Sequence, residues 1–279
     1  MICAIGLEIF LMIKEGKEVI QFTISLLRDI ALNVSLLQTW YPNCYVCVAL
    51  NGVAWYLSAS LFLYFAFPNI LKFVKRKKQS ELIIMSLILL IFEIIVCIPL
   101  VYVVGYKHSF YIWFMYCFPV FRLGDFFVGC VLGKILLSNQ RKNYSQISMT
   151  IIEIIALAFA SGVVVFQKLE FESIIFQVLV NWTTIYIPVA VIWIFLFINH
   201  RGLITRVLCN KLTIFIGDIS PYAFLIHYVV TRYTKKWMEF SGILLTEEQN
   251  WIIILGELIF SILLSLLYSK IFEKVTSKE

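Results

Sequence analysis

The chain has 279 residues, 61% of them hydrophobic and 14% charged, with a mean hydropathy of +0.91. Soluble domains run nearer half apolar and a quarter charged, so an ordinary globular protein is excluded. The net charge of +6 places Lys and Arg in cytoplasmic loops, which resist translocation, and no nucleic-acid partner is expected.

In chain order, apolar runs occupy 1–13 (a half-span), 19–40, 51–71, 82–104, 119–137, 147–166, 174–198, 220–240 and 250–272. Several reach the ~20 residues a helix needs to cross a bilayer core. They alternate too little for an outer-membrane barrel. The expected fold is all-α, a polytopic integral-membrane helical bundle of about eight to nine transmembrane segments in one domain, 1–279. Met1 opens directly into IGLEIFLMI, without the basic start and small-residue cleavage site of a signal peptide. YKHSFYIWFMYCF (106–118) reads as an interfacial aromatic belt. Residues 201–217, RGLITRVLCNKLTIFIG, read as an amphipathic helix along the cytoplasmic surface.

With KFVKRKK (72–78) in the cytoplasm and the spans alternating from there, 16 basic residues fall inside and five outside. This roughly threefold bias supports the topology. It also makes the 1–13 half-span enter from outside.

Ionisable groups within spans are costly and mark candidate sites. In PVFRLGDFFVGCVLGKIL (119–136), Arg122 and Asp125 share a helix face, either as a structural ion pair or as an anion or sugar contact. In NGVAWYLSASLFLYFAFP (51–68), Asn51-Gly52 signals a turn, and Trp55, Ser58 and Tyr64 bring hydrogen-bonding groups to the outward helix end. Trp55 reads as an interfacial anchor or as a ligand contact. In ISPYAFLIHYVV (219–230), Ser220 reads as an N-cap and Pro221 as the first helical residue. His227 then lies roughly 10 Å along the helix from its cytoplasmic end, either as a helix–helix hydrogen-bond donor or as a reactive group. Glu93 and Glu153, also inside spans, must be neutral or paired. His108 and His200 are easily solvated and receive no role.

Seven cysteines are scattered along the chain. Cys44 and Cys47 form the one CxxC, read as packing or an outward-facing disulfide; with no second CxxC or His pair, no metal site is assigned.

Three of these blocks, LLQTWYPN…NGVAWYLSASLFLYFAFPNILK (36–72), FPVFRLGDFFVGCVLGKIL (118–136) and IGDISPYAFLIHYVV (216–230), together resemble the acyltransferase-3 family of integral-membrane acyltransferases. The last is similar to the family's iSY-x-x-YLIH signature, with Pro221 and Phe224 at its two tyrosine positions. The resemblance implies about ten helices and transfer of an acyl group, commonly acetyl, from acyl-CoA to a hydroxyl of a glycan, lipid-linked sugar or other acceptor. It implies a multi-pass protein of the bacterial inner membrane, in contact with membrane lipid and without a bound cofactor. By the same resemblance His227 is the catalytic candidate, and Arg122, Trp55, Asn51, Ser58, Asp125, Ser220 and Tyr222 are candidate substrate contacts. Imidazole suits the base such a transfer needs, and fixed donors suit its developing oxyanion.

Two departures are visible. The chain starts downstream of the family's first helix, which carries an Arg and the histidine usually named as base. The family's WSLSVE block reads WYLSAS, with Ser60 where many relatives have Glu. An N-terminally truncated or inactive version is therefore an open expectation beside a working enzyme. A transporter or flippase for an envelope precursor, or a non-catalytic membrane partner, are the competing readings.

Overall fold

A computed structural model describes residues 2–15, 18–138, 144–169, 173, 183–242 and 247–276. The described residues form helices joined by short turns: α1 (Ile2–Glu15), α2 (Val19–Val34), α3 (Cys44–Cys47), α4 (Trp55–Arg76), α5 (Gln79–Val104), α6 (Ser109–Ile112), α7 (Leu123–Ser138), α8 (Gln146–Gln167), α9 (Ile187–Asn199), α10 (Leu203–Leu208), α11 (Lys211–Ser241) and α12 (Glu247–Thr276). A π-helical stretch, Trp113–Cys117, follows α6.

Five helices among the described residues are long and apolar enough to cross a membrane: α4, α5, α8, α11 and the Asn250–Ile271 part of α12. The expected count was eight to nine. The difference lies in length: α2 and α7 have 16 residues each, or about 24 Å of rise against a ~30 Å hydrocarbon core. The first part of the run expected at 174–198 lies outside the described residues, and α9 contributes 13.

The apolar patterning shows why these helices suit lipid. On α5, Ile84, Ile88, Ile91 and Ile95 are exposed at helical spacing, while Leu82, Ser86, Glu93, Cys97 and Val101 are buried on the other side. The exposed side carries aliphatic side chains, as a helix facing hydrocarbon must, and the polar groups turn toward protein.

The chain divides into two compact units, one of residues 1–38, 48–56 and 211–279, the other of 39–47 and 57–210. In the first, α11 packs along α12, and α1 packs on α11 and α2. In the second, α5 packs on α7, and α8 on α9 and α10. One core there joins Cys97 and Val101 of α5 to Tyr111 and Met115, and a second joins Val74 and Leu82 to Phe127 and Val131. Lys134 reaches from α7 to the last turn of α4, where its Nζ donates to the carbonyls of Val74 (2.7 Å), Lys75 (3.3 Å) and Lys77. An ammonium there satisfies carbonyls with no intrahelical partner and complements the negative end of the helix.

Two boundaries differ from the expected ones. The stretch 201–217 is not one surface helix: α10 ends at Leu208, and α11 begins at Lys211. Ser220 is therefore not an N-cap, and Pro221 lies inside a 31-residue helix. Proline leaves the Gly217 carbonyl without its usual amide partner, a cost of about 3 kcal/mol in a helix interior. Beyond that point α11 packs on α12, with Tyr222 facing Tyr268 and Thr231 bonded to Glu257, so packing holds the helix together past the local stop signal.

Candidate active site

The expected site residues fall into both units. Asn51, Trp55, Ser220, Tyr222 and His227 belong to the first; Ser58, Arg122 and Asp125 belong to the second.

In the first unit, the Asn51–Tyr56 segment lies against the middle of α11, although the two are far apart in sequence. Asn51 Nδ2 donates to the Leu225 carbonyl at 3.0 Å, and its Oδ1 accepts from the Val53 amide at 3.3 Å. Gly52 permits this approach, because a Cβ there would collide with the ring of Tyr228. The Tyr56 ring meets Phe224 edge-on at 6.3 Å, and Phe224 lies 5.8 Å from the His227 imidazole. Trp55 stands edge-on to Tyr56 at 6.3 Å. An aromatic chain thus runs from Trp55 through Tyr56 and Phe224 to His227.

His227 Nδ1 lies 3.2 Å from the Ala223 carbonyl, one turn back. A carbonyl only accepts, so this bond places the proton of neutral imidazole on Nδ1 and leaves the Nε2 lone pair available. His227 is exposed, so Nε2 can be approached from outside the protein. Because α11 begins at Lys211, His227 is 16 residues in, about 24 Å by helical rise. The imidazole therefore lies farther along its helix than the ~10 Å expected from a helix starting at Ser220. Tyr222 faces Tyr268 of α12 at 5.5 Å, and Ser220 is exposed on the same helix.

Polar groups the sequence reading did not single out secure this unit. Arg232 donates to Glu8 of α1, Thr231 donates to Glu257 of α12 at 3.0 Å, and buried Gln38 donates to the Ala54 carbonyl at 3.1 Å. The signal was present for the first pair: Glu8 and Arg232 are opposite charges within or at the edge of apolar runs.

In the second unit, Ser58 is buried and shares a 2.5 Å hydrogen bond with Thr39, whose carbonyl accepts from Trp113 Nε1 at 2.8 Å. Trp40 stands edge-on to Phe62 and Phe118. Arg122 Nη1 donates to Asp125 at 2.7 Å, and Nη2 donates to the Met115 carbonyl. The geometry gives Arg122 a structural part: it ties the start of α7 to the π-helical turn. Glu93 of α5 lies against Gly124, where a Cβ would strike its carboxylate.

Glu153 is completely buried and paired, as a carboxylate in an apolar span requires. It accepts from the Ile204 amide at 2.8 Å, the Thr205 amide at 3.0 Å and the Thr205 hydroxyl at 2.5 Å. Outside the spans, burial pushes the Cys44 thiol up from its ordinary value. A hydrogen bond with Cys117, then burial, pushes Cys47 up as well. Among the described residues no cluster of His, Cys, Asp and Glu is arranged to hold a metal ion.

No curated protein matches this chain. No solved structure matches it either. A sequence model described as an acyltransferase domain matches residues 26–270, which include the Asn51–Tyr56 segment, Arg122 and His227. The chain belongs to the acyltransferase-3 family of membrane acyltransferases.

Proposed function

We propose that this protein transfers an acetyl group from acetyl-CoA, an acyl-CoA donor, to a hydroxyl of a cell-envelope glycan or lipid-linked sugar, with His227 as the catalytic residue. The observation that carries the reading is the fixed tautomer of His227: Nδ1 is bound to the Ala223 carbonyl and Nε2 remains exposed as a proton acceptor. Nε2 takes the proton from the acceptor hydroxyl as its oxygen attacks the thioester carbonyl. The tetrahedral intermediate collapses with loss of the thiolate, which recovers the proton from the imidazolium. The ester forms, the thioester breaks, and the thiol of coenzyme A leaves.

The aromatic run from Trp55 to Phe224 supports a sugar or acyl contact beside the imidazole, since ring faces pack against apolar C–H surfaces while ring-borne donors stay wet. Asn51 is a positioning residue that holds its segment to the carbonyl of Leu225. Arg122 and Asp125 are read as structural, and Ser58 as a buried support for Thr39. The protein would act in the bacterial inner membrane, with its basic loops facing the cytoplasm.

The test is transfer of radiolabelled acetyl from acetyl-CoA to an envelope glycan fraction by the full chain in nanodiscs. His227→Ala and His227→Phe should lose at least a hundredfold of the rate, the scale of general-base catalysis, with unchanged insertion and unfolding temperature. Full transfer by either variant would remove His227 from the mechanism. Label that crosses the membrane without covalent attachment would support a transporter instead.

A further inference from the structure

We infer that the cavity between the start of α8 and the α9–α10 turn is a binding site for a phosphate group, supplied by a soluble phosphorylated ligand or by an anionic lipid headgroup. The cavity has a volume of about 510 Å³ and is lined by Tyr144, Gln146, Asn199, His200, Arg201 and Arg206, among others. That volume falls in the range of small-molecule sites. Among the described residues the lining includes two guanidiniums, an imidazole, two amides and a phenol, and no carboxylate. The guanidinium forks suit a tetrahedral phosphate, which offers more acceptor oxygens than a carboxylate and which Arg engages through its planar fork.

The local fold sets these groups in place. His200 ends α9 in the left-handed region, at φ 32°, with its amide bound to the Leu196 carbonyl at 2.8 Å. Glycine ordinarily occupies such a position, and a histidine there brings an imidazole to the cavity wall. Arg206 projects from α10, whose first turn is fixed by Glu153 through Ile204 and Thr205. That carboxylate is fully buried, occupied by three donors, and does not line the cavity. Arg206 has no ion-pair partner among the described residues. The sequence reading gave His200 no role; the tertiary structure gives it one. By the distribution of basic residues this end of the helices is cytoplasmic, where both soluble phosphates and anionic headgroups are found.

The proposal is independent of acyl transfer, because binding is read directly and an inactive enzyme would still show it. The full chain in neutral maltoside is titrated with inorganic pyrophosphate by calorimetry. In parallel, retention of phosphatidylglycerol against phosphatidylcholine is followed by native mass spectrometry. Saturable pyrophosphate binding assigns a soluble source, and selective phosphatidylglycerol retention assigns the headgroup. In either case Arg201→Gln with Arg206→Gln should weaken binding more than tenfold, while Arg76→Gln with Lys78→Gln, which do not line the cavity, should leave it unchanged. Arg206→Lys keeps the charge without the fork and should lose several-fold if the paired variant fails to fold. Absence of both interactions, equal losses in the remote variant, or equal competition by succinate would overturn the proposal.

Discussion

Replacing Glu153 with Ala should release the first turn of α10. The wild-type carboxylate accepts from two backbone amides and a hydroxyl, at 2.8, 3.0 and 2.5 Å, at a fully buried position. A hydrogen bond to a charged group contributes about 1.5–3 kcal/mol, and a donor left unsatisfied costs about 1–3 kcal/mol. The three bonds share one acceptor and the vacated space can admit water, so the loss should be about 3 kcal/mol rather than the full sum. That corresponds to roughly a hundredfold in a local opening equilibrium. The assay is hydrogen exchange of the Ile204 and Thr205 amides in nanodiscs, with α4 amides as internal reference. Exchange at the two amides should accelerate about a hundredfold in Glu153→Ala and less in Glu153→Gln, which keeps one carbonyl oxygen. Gly202→Ala should act in the same direction, because its methyl group would collide with the Glu153 carboxylate. Unchanged exchange at both amides in Glu153→Ala would refute the assignment of Glu153 as the cap of α10.

Gly52→Ala should cost about 1–3 kcal/mol through overpacking against Tyr228; scanning fluorimetry should show the lower unfolding temperature, and Tyr228→Ala in the same chain should recover part of it. Arg232→Met should destabilise more than Arg232→Met with Glu8→Met, because the single change leaves a partly buried carboxylate without its cation; equal stabilities in a double-mutant cycle would argue against the pair. Cys47 and Cys117, both fully buried, should resist maleimide in the folded protein, while exposed Cys3 and Cys209 react, as mass spectrometry of labelled peptides can show. The raised Cys44 and Cys47 thiols favour the neutral form in the folded state. Their contribution to stability is therefore present below the ordinary thiol value of 9.0 and is lost as pH rises above it toward the folded values. A Cys44→Ala, Cys47→Ala variant should show a flatter alkaline limb in its unfolding temperature.

The composition and the apolar runs determined that this is a helical membrane protein, because in hydrocarbon a backbone must satisfy its own hydrogen bonds and an unbroken apolar run does so as a helix. The blocks at 36–72, 118–136 and 216–230 pointed to the family, which the match over residues 26–270 shows. Arg122 with Asp125 was also legible, since residues three apart on a helix are neighbours whatever surrounds them. Pairings across long sequence separations were decided only in three dimensions. Asn51 meets Leu225 from 174 residues away, and Glu8 meets Arg232 from 224. No local pattern encodes such pairings, because any buried polar group accepts any partner that packing brings within reach. The same holds for Pro221, whose local stop signal is overridden by contact with α12. It holds also for His200, an easily solvated histidine at the end of an apolar run in the sequence and part of a cavity wall in the fold. The sequence supplied the candidate groups and the apolar runs that carry them; tertiary packing decided which neighbours they meet, because contacts across long separations exist only once the helices pack.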